Sequence, residues 1–135
     1  KDSLPREEMV LAPEEYTGPG LSNEELYRQY YIFWRSWQDE LIEALLYGTN
    51  YKKQISCVDE AIKNLNMCLP LLNKEGQDKL TLYISQLKSL KGVIVKDYYG
   101  RNVSRNRQEA NRIRRDIVQF FSFPEVKDKL IPDAS

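Results

Sequence analysis

The chain is 135 residues long, enough for one domain whose hydrophobic core needs neither disulfide staples nor a structural metal. Twenty basic and twenty acidic residues cancel, so no net field draws nucleic acid, a membrane or an acidic ligand to the molecule as a whole. Histidine is absent, which removes the commonest general base, the usual zinc ligand and the Glu-x-x-His signature of di-iron bundles. The charge is uneven along the chain: residues 1–50 hold ten acids against four bases, and residues 51–135 hold sixteen bases against ten acids. No stretch nears the roughly 18 apolar residues of a transmembrane helix.

Residues 1–21 read as an extended N-terminal arm. Pro5, Pro13 and Gly18-Pro19-Gly20 interrupt any helix, and Glu7, Glu8, Glu14 and Glu15 keep the segment in water. Met9-Val10-Leu11-Ala12 within it is apolar enough to need a docking site. Residues 22–135 read as the folded domain. With lysine as residue 1, a leader removed ahead of it leaves no trace here.

The first helix is expected to start at Ser22 or Asn23, with Glu24 and Glu25 favouring its positive end, and to stop at Tyr47 before Gly48. Its segment LYRQYYIFWRSW, residues 26–37, holds six aromatic rings. At 100° per residue, Tyr27, Tyr30, Phe33, Trp34, Trp37, Leu41, Ala44 and Leu45 share an arc of roughly 120°. Five of the six rings therefore read as core, with Trp37 and Tyr30 buried and Arg35 exposed. Tyr31, Ile32, Ile42 and Leu46 form a second apolar strip, the candidate partner-binding surface. Its expected cover is Met9-Val10-Leu11 of the arm, a second copy of the chain, or another protein.

The second helix is expected from Asn50 or Tyr51 to Leu69, ahead of Pro70, with Ile55, Val58, Ala61, Ile62, Leu65 and Leu69 inward. Cys57 and Cys68 lie eleven residues apart, about 16 Å along one helix, beyond the roughly 7 Å reach of a disulfide. They read as small hydrophobes at the edge of a core. A turn around Asn73 leads to a third helix, about Gln77 to Tyr99. Its single stripe includes Leu80, Ile84, Leu87, Leu90, Ile94, Val95 and Tyr98, interrupted by Gly92 and closed by Gly100. The fourth helix is expected from Asn102 or Ser104 to Ser122, followed by a short helical turn opened by Pro124. Together these predict an all-α domain: an antiparallel up-down-up-down four-helix bundle with an extended N-terminal arm and a short C-terminal helical turn.

RNVSRNRQEANRIRR, residues 101–115, carries six arginines against one acid. Arginine's planar fork suits phosphate and carboxylate, so the outward Arg105, Arg112 and Arg115 are the candidate anion-binding residues. Arg107 and Arg114 are placed instead to pair with Asp39, Glu40 and Glu43 of the first helix. The acid pairs Asp39-Glu40-Glu43 and Asp59-Glu60 lack the companions of a metal site. No nucleophile stands beside a base, no phosphate loop follows a strand, and Asn102-Val103-Ser104 is a glycosylation sequon that gains meaning only in a secretory context. The expectation is a non-catalytic interaction or scaffold domain, without metal or cofactor, whose partner is another protein or a second copy. The alternative is an anion or nucleic-acid binding module on the arginine face of the fourth helix, which neutral overall charge disfavours. Unpaired thiols point to the cytoplasm, with export after signal cleavage as the alternative.

Overall fold

The computed structural model describes residues 20–133. The docking expected of Met9-Val10-Leu11 falls outside them. The described residues form five α-helices: α1 (Asn23–Ala44), α2 (Tyr51–Cys68), α3 (Lys74–Lys96), α4 (Val103–Phe121) and the single turn α5 (Phe123–Val126). There is no strand among them, only an isolated bridge between Leu72 and Leu130. α1 packs most extensively on α2, α2 on α3 and α3 on α4, and α4 returns to α1 around one core. No described helix is long and apolar enough to cross a membrane.

Local chemistry sets the helix ends. At α1 the Ser22 hydroxyl accepts the Glu25 N–H at 3.1 Å while the Glu25 carboxylate accepts the Ser22 N–H at 2.9 Å, a reciprocal cap of two otherwise orphaned donors. α3 begins one turn earlier than its apolar period, because Asn73 accepts the Gly76 N–H at 2.9 Å and Lys74 to Asp78 form a polar first turn. It also ends at Lys96 rather than Tyr99. Tyr98 therefore leaves the helical stripe and stands in solvent, and Val95 is exposed as well. α1 stops at Ala44 rather than Tyr47, and the chain reaches α2 through a 3₁₀ turn at Gly48–Asn50. Gly92 of α3 has nothing within 4 Å of where a Cβ would stand, so it serves no close approach.

The aromatic stretch of α1 is divided differently from its hydropathy arc. Tyr27, Tyr31, Trp34, Gln38, Leu41 and Leu45, alternately four and three residues apart, form the buried seam. Tyr31 is only 8 % exposed, whereas Trp37 is 37 % exposed, Phe33 is exposed and Tyr30 is half-buried. The expectation of a buried Trp37 and Tyr30 is thus corrected, while Arg35 is exposed as expected. Gln38 is the reason. A polar residue in the seam pulls the hydropathy average toward Trp37, yet this amide is satisfied inside: it accepts from the Trp34 indole at 3.1 Å and donates to the Ala110 carbonyl at 2.9 Å. A buried amide so paired carries no desolvation penalty of the size an orphan carries.

The two ends of α1 are tied by different means. At its start, the Asn23 side-chain amide donates to the Ile131 carbonyl at 2.8 Å and its backbone N–H donates to Asp133 at 2.7 Å. The same C-terminal segment meets the α2–α3 turn, with Asn73 N–H to Lys129 O at 2.7 Å and Ile131 N–H to Leu71 O at 2.8 Å. Tyr27 adds a hydroxyl bond to the Phe121 carbonyl at 2.5 Å. A backbone clasp closes this end. The other end, about 33 Å away along a 22-residue helix, is the meeting of the α1–α2 and α3–α4 loops.

Candidate functional site

At that far end two glycines press backbone to backbone. Gly100 has φ +70, a conformation that favours glycine, and a Cβ there would stand 2.5 Å from the Gly48 Cα. A Cβ on Gly48 would stand 3.1 Å from the Gly100 Cα. The buried Asp97 carboxylate accepts the N–H groups of Arg101 at 2.8 Å and Asn102 at 2.9 Å, fixing the approach to α4. From the other loop, the Gln54 amide donates to the carbonyls of Ala44 and Tyr47, each at 3.2 Å. The Tyr51 hydroxyl donates to Val95 O at 2.6 Å, and its ring meets Tyr98 edge-on at 5.0 Å. Tyr98 in turn meets Tyr99 at 5.2 Å, and the Arg101 guanidinium lies 5.9 Å from the Tyr99 ring.

The backbone of this tip is held, and its side chains are left outside. Tyr47 is 66 %, Tyr98 63 % and Tyr99 80 % exposed, with Leu46 and Val95 exposed beside them. A recess of about 490 Å³ opens between Gly48–Lys53 and Tyr98. The two loops and their flanks, residues 45–53 and 93–102, carry Lys52, Lys53, Lys96 and Arg101 against the single carboxylate Asp97. Since Asp97 is turned into the backbone, the outward charge is positive. Lys53 is the one of these cations with a described carboxylate partner, Glu40 at 3.3 Å.

The arginines of α4 contrast with this. Arg112, read as outward, lies in the α3–α4 seam. It holds Glu109 through two bonds at 3.0 and 2.6 Å, Asp116 at 3.2 Å and the Gln86 side chain of α3 at 2.9 Å. Its guanidinium holds the Glu109 carboxyl below the usual carboxylate range. Arg114 pairs with Asp39 at 2.5 Å, the cross-helix contact expected of it. Arg107 donates at 3.4 Å to the Leu45 carbonyl rather than to an acid. Arg105 and Arg115 are exposed, Arg115 with its nearest carboxylate, Asp116, at 4.0 Å. Arg105, Arg112 and Arg115 are thus not gathered into one free surface.

The apolar strip is likewise divided. Tyr31 is in the core, Ile42 is half-buried against it, and Ile32 and Leu46 are exposed fourteen residues apart. Leu46 joins the tip. Cys57 and Cys68 are buried and unbridged, with burial pushing their thiols up to about 11 and about 12, so neither is a ready nucleophile. Among the described residues no group of three or more cysteines and carboxylates is placed to hold a metal ion. Tyr47, Tyr98 and Tyr99 were not among the sequence candidates. Their signal was positional: tyrosines directly before Gly48 and Gly100, where a helix stops and its stripe ceases to apply.

No known protein family matches the chain, and neither a curated protein nor a solved structure matches it.

Proposed function

We propose that the chain is a non-catalytic interaction domain that binds an acidic segment of another protein through the tip formed by Tyr47, Tyr98 and Tyr99. We read its scaffold as an antiparallel up-down-up-down four-helix bundle, supported by the packing of each long helix on the next and by the short connections. The observation that carries the functional reading is the exposed tyrosine cluster on a pre-ordered backbone. Tyrosine and arginine are enriched where partners bind most strongly. A surface already rigid loses little conformational entropy on binding. The lysines and Arg101 around the rings select for acid in the partner. Leu46, Val93 and Val95 are the exposed aliphatic residues here, little apolar area for insertion into lipid.

An anion or nucleic-acid module on α4 is the weaker reading, because Arg112 and Arg114 each already hold a carboxylate. Of Arg105, Arg112 and Arg115, only Arg105 and Arg115 remain for it.

A displayed library of random peptides, selected against the full chain, tests the proposal. The enriched peptides are expected to be acidic, to perturb the backbone NMR signals of Tyr47, Tyr98 and Tyr99, and to lose binding on Tyr47→Ser with Tyr99→Ser. Peptides that map to α4, or that ignore both substitutions, overturn it. So does saturable binding of the tip to phosphatidylserine vesicles without peptide selection, which makes the ligand a lipid surface.

A further inference from the structure

A second recess, of about 230 Å³, lies near the start of α1 and is lined by Tyr27, Arg28, Tyr31, Ile32, Arg35 and Phe123. Two features set it apart from an ordinary surface dimple. The Tyr31 hydroxyl is buried and has no hydrogen-bond partner. A buried donor without an acceptor is rare and destabilising, so the position implies an acceptor that the described residues do not supply. The recess also brings two guanidinium groups onto one wall. Arg28 lies 3.9 Å from the Phe123 ring centroid, and Arg35 lies 6.0 Å from that of Tyr31.

The carboxylates around this wall do not occupy it. Asp39 is held by Arg114, and among the described residues none pairs with Arg35. Glu24 reaches Arg28 at 3.2 Å, but both side chains are about half exposed, and such a solvated pair is weak. Arg28 is therefore exchangeable. Burial pushes the Tyr31 hydroxyl above its ordinary range, against the pull of Arg35 and Arg114, so it stays a neutral donor at physiological pH.

We propose that this recess binds a phosphate-class oxyanion, with Arg35 and Arg28 as the charged donors, the Tyr31 hydroxyl as the neutral one, and Ile32 and Phe123 as walls for a ring or chain that carries it. Phosphate fits better than carboxylate because it offers oxygens in more than two directions, as donors from Arg28, Arg35 and Tyr31 require. The volume exceeds that of a bare anion, which points to an ester rather than the free ion. The site is independent of the tip and stands or falls separately.

The test titrates the full chain with inorganic phosphate, phenyl phosphate and, as a carboxylate control, benzoate, following backbone and arginine Nε–H NMR signals. Saturable shifts are expected at Arg28, Tyr31 and Arg35, with phenyl phosphate tightest and benzoate weakest. Arg35→Gln removes a charged hydrogen bond and is expected to weaken phenyl phosphate binding roughly tenfold or more. Tyr31→Phe keeps the ring and the fold, checked by near-UV circular dichroism, and is expected to weaken it about two- to tenfold. Inorganic phosphate binding as tightly as the ester makes the free ion the ligand and overturns the walls' part in the proposal. The site itself is overturned if shifts fail to saturate, if Arg105 and Arg115 respond as strongly as Arg35, or if Arg35→Gln changes nothing.

Discussion

The two ends of α1 solve the same problem, fixing loops to a helical core, with opposite consequences for the surface. At the Asn23 end the backbone of the C-terminal segment is bonded to the α2–α3 turn and to α1 itself, so its polar groups are spent on the fold. At the Gly48 end the loops are fixed by glycine contact, a buried Asp97 and two inward-bonding side chains, Gln54 and Tyr51. Three tyrosines there are left for something else. The α4 arginines make the same point from the other side. They are the most pointed run in the chain, and two of them are already committed to carboxylates. A residue type marks a functional surface only where the fold leaves it unspent.

Both ends hang from the same seam, and the largest expected effect lies there. Trp34→Ala should lower unfolding free energy by about 3–5 kcal/mol in a urea melt, as large buried aromatic deletions do. Trp37→Ala, three residues on and partly in solvent, should cost about 1–2 kcal/mol. Equal losses would put both tryptophans in the core and restore the hydropathy arc.

The glycine contact comes next. Gly100→Ala combines a left-handed backbone with a methyl against the Gly48 Cα, and should cost about 2–4 kcal/mol. Gly92→Ala, in open space on α3, should instead be neutral or stabilising by up to about 1 kcal/mol. If Gly100→Ala is tolerated, the two loops are not pressed together.

Single contacts at each end follow. Asp97→Ala leaves two backbone donors beside α4 without their carboxylate and should cost about 1–2 kcal/mol. Asn23→Ala at the clasp loses its side-chain bond to Ile131 O and should cost about 1 kcal/mol. Amide exchange locates each loss: near Arg101 and Asn102 in the first case, near Ile131 in the second.

How far these features could be read beforehand depends on their range. The helix count and the cap at Ser22 are local chemistry, and they stand in the sequence. Gln38 does not, because its burial depends on a carbonyl seventy-two residues away. Arg112 is the same case: on a helical wheel it points outward, and only the approach of Gln86 from α3 turns it into a seam residue. The tip was hidden because period-based reading carried Tyr98 along a helix that had already ended.

The smallest expected stability effect tests the arginine side of the comparison. Glu109 has its acidity strengthened by the hydrogen bond from Arg112. Its contribution is therefore complete above the unfolded-state value near pH 4.3 and fades as pH falls through the lower folded value. Both side chains are about 40 % exposed, so the contribution should stay below about 1 kcal/mol. Denaturant melts of the wild type and Arg112→Gln should differ slightly at neutral pH and converge in acid. A gap that persists in acid would mean that Arg112 acts through packing or Gln86 instead.

The central claim is that the unspent tyrosines, not the spent arginines, form the binding surface. Isothermal titration with one acidic peptide from the display selection tests it, comparing the wild type with two double variants. One is Tyr47→Ser with Tyr99→Ser, the other Arg105→Gln with Arg115→Gln; each should change stability by no more than about 0.5 kcal/mol per site. The account predicts at least about a tenfold loss of affinity in the tyrosine variant, the effect of removing a strong contact residue, and less than about twofold in the arginine variant. The reverse order would place binding on α4 and contradict it.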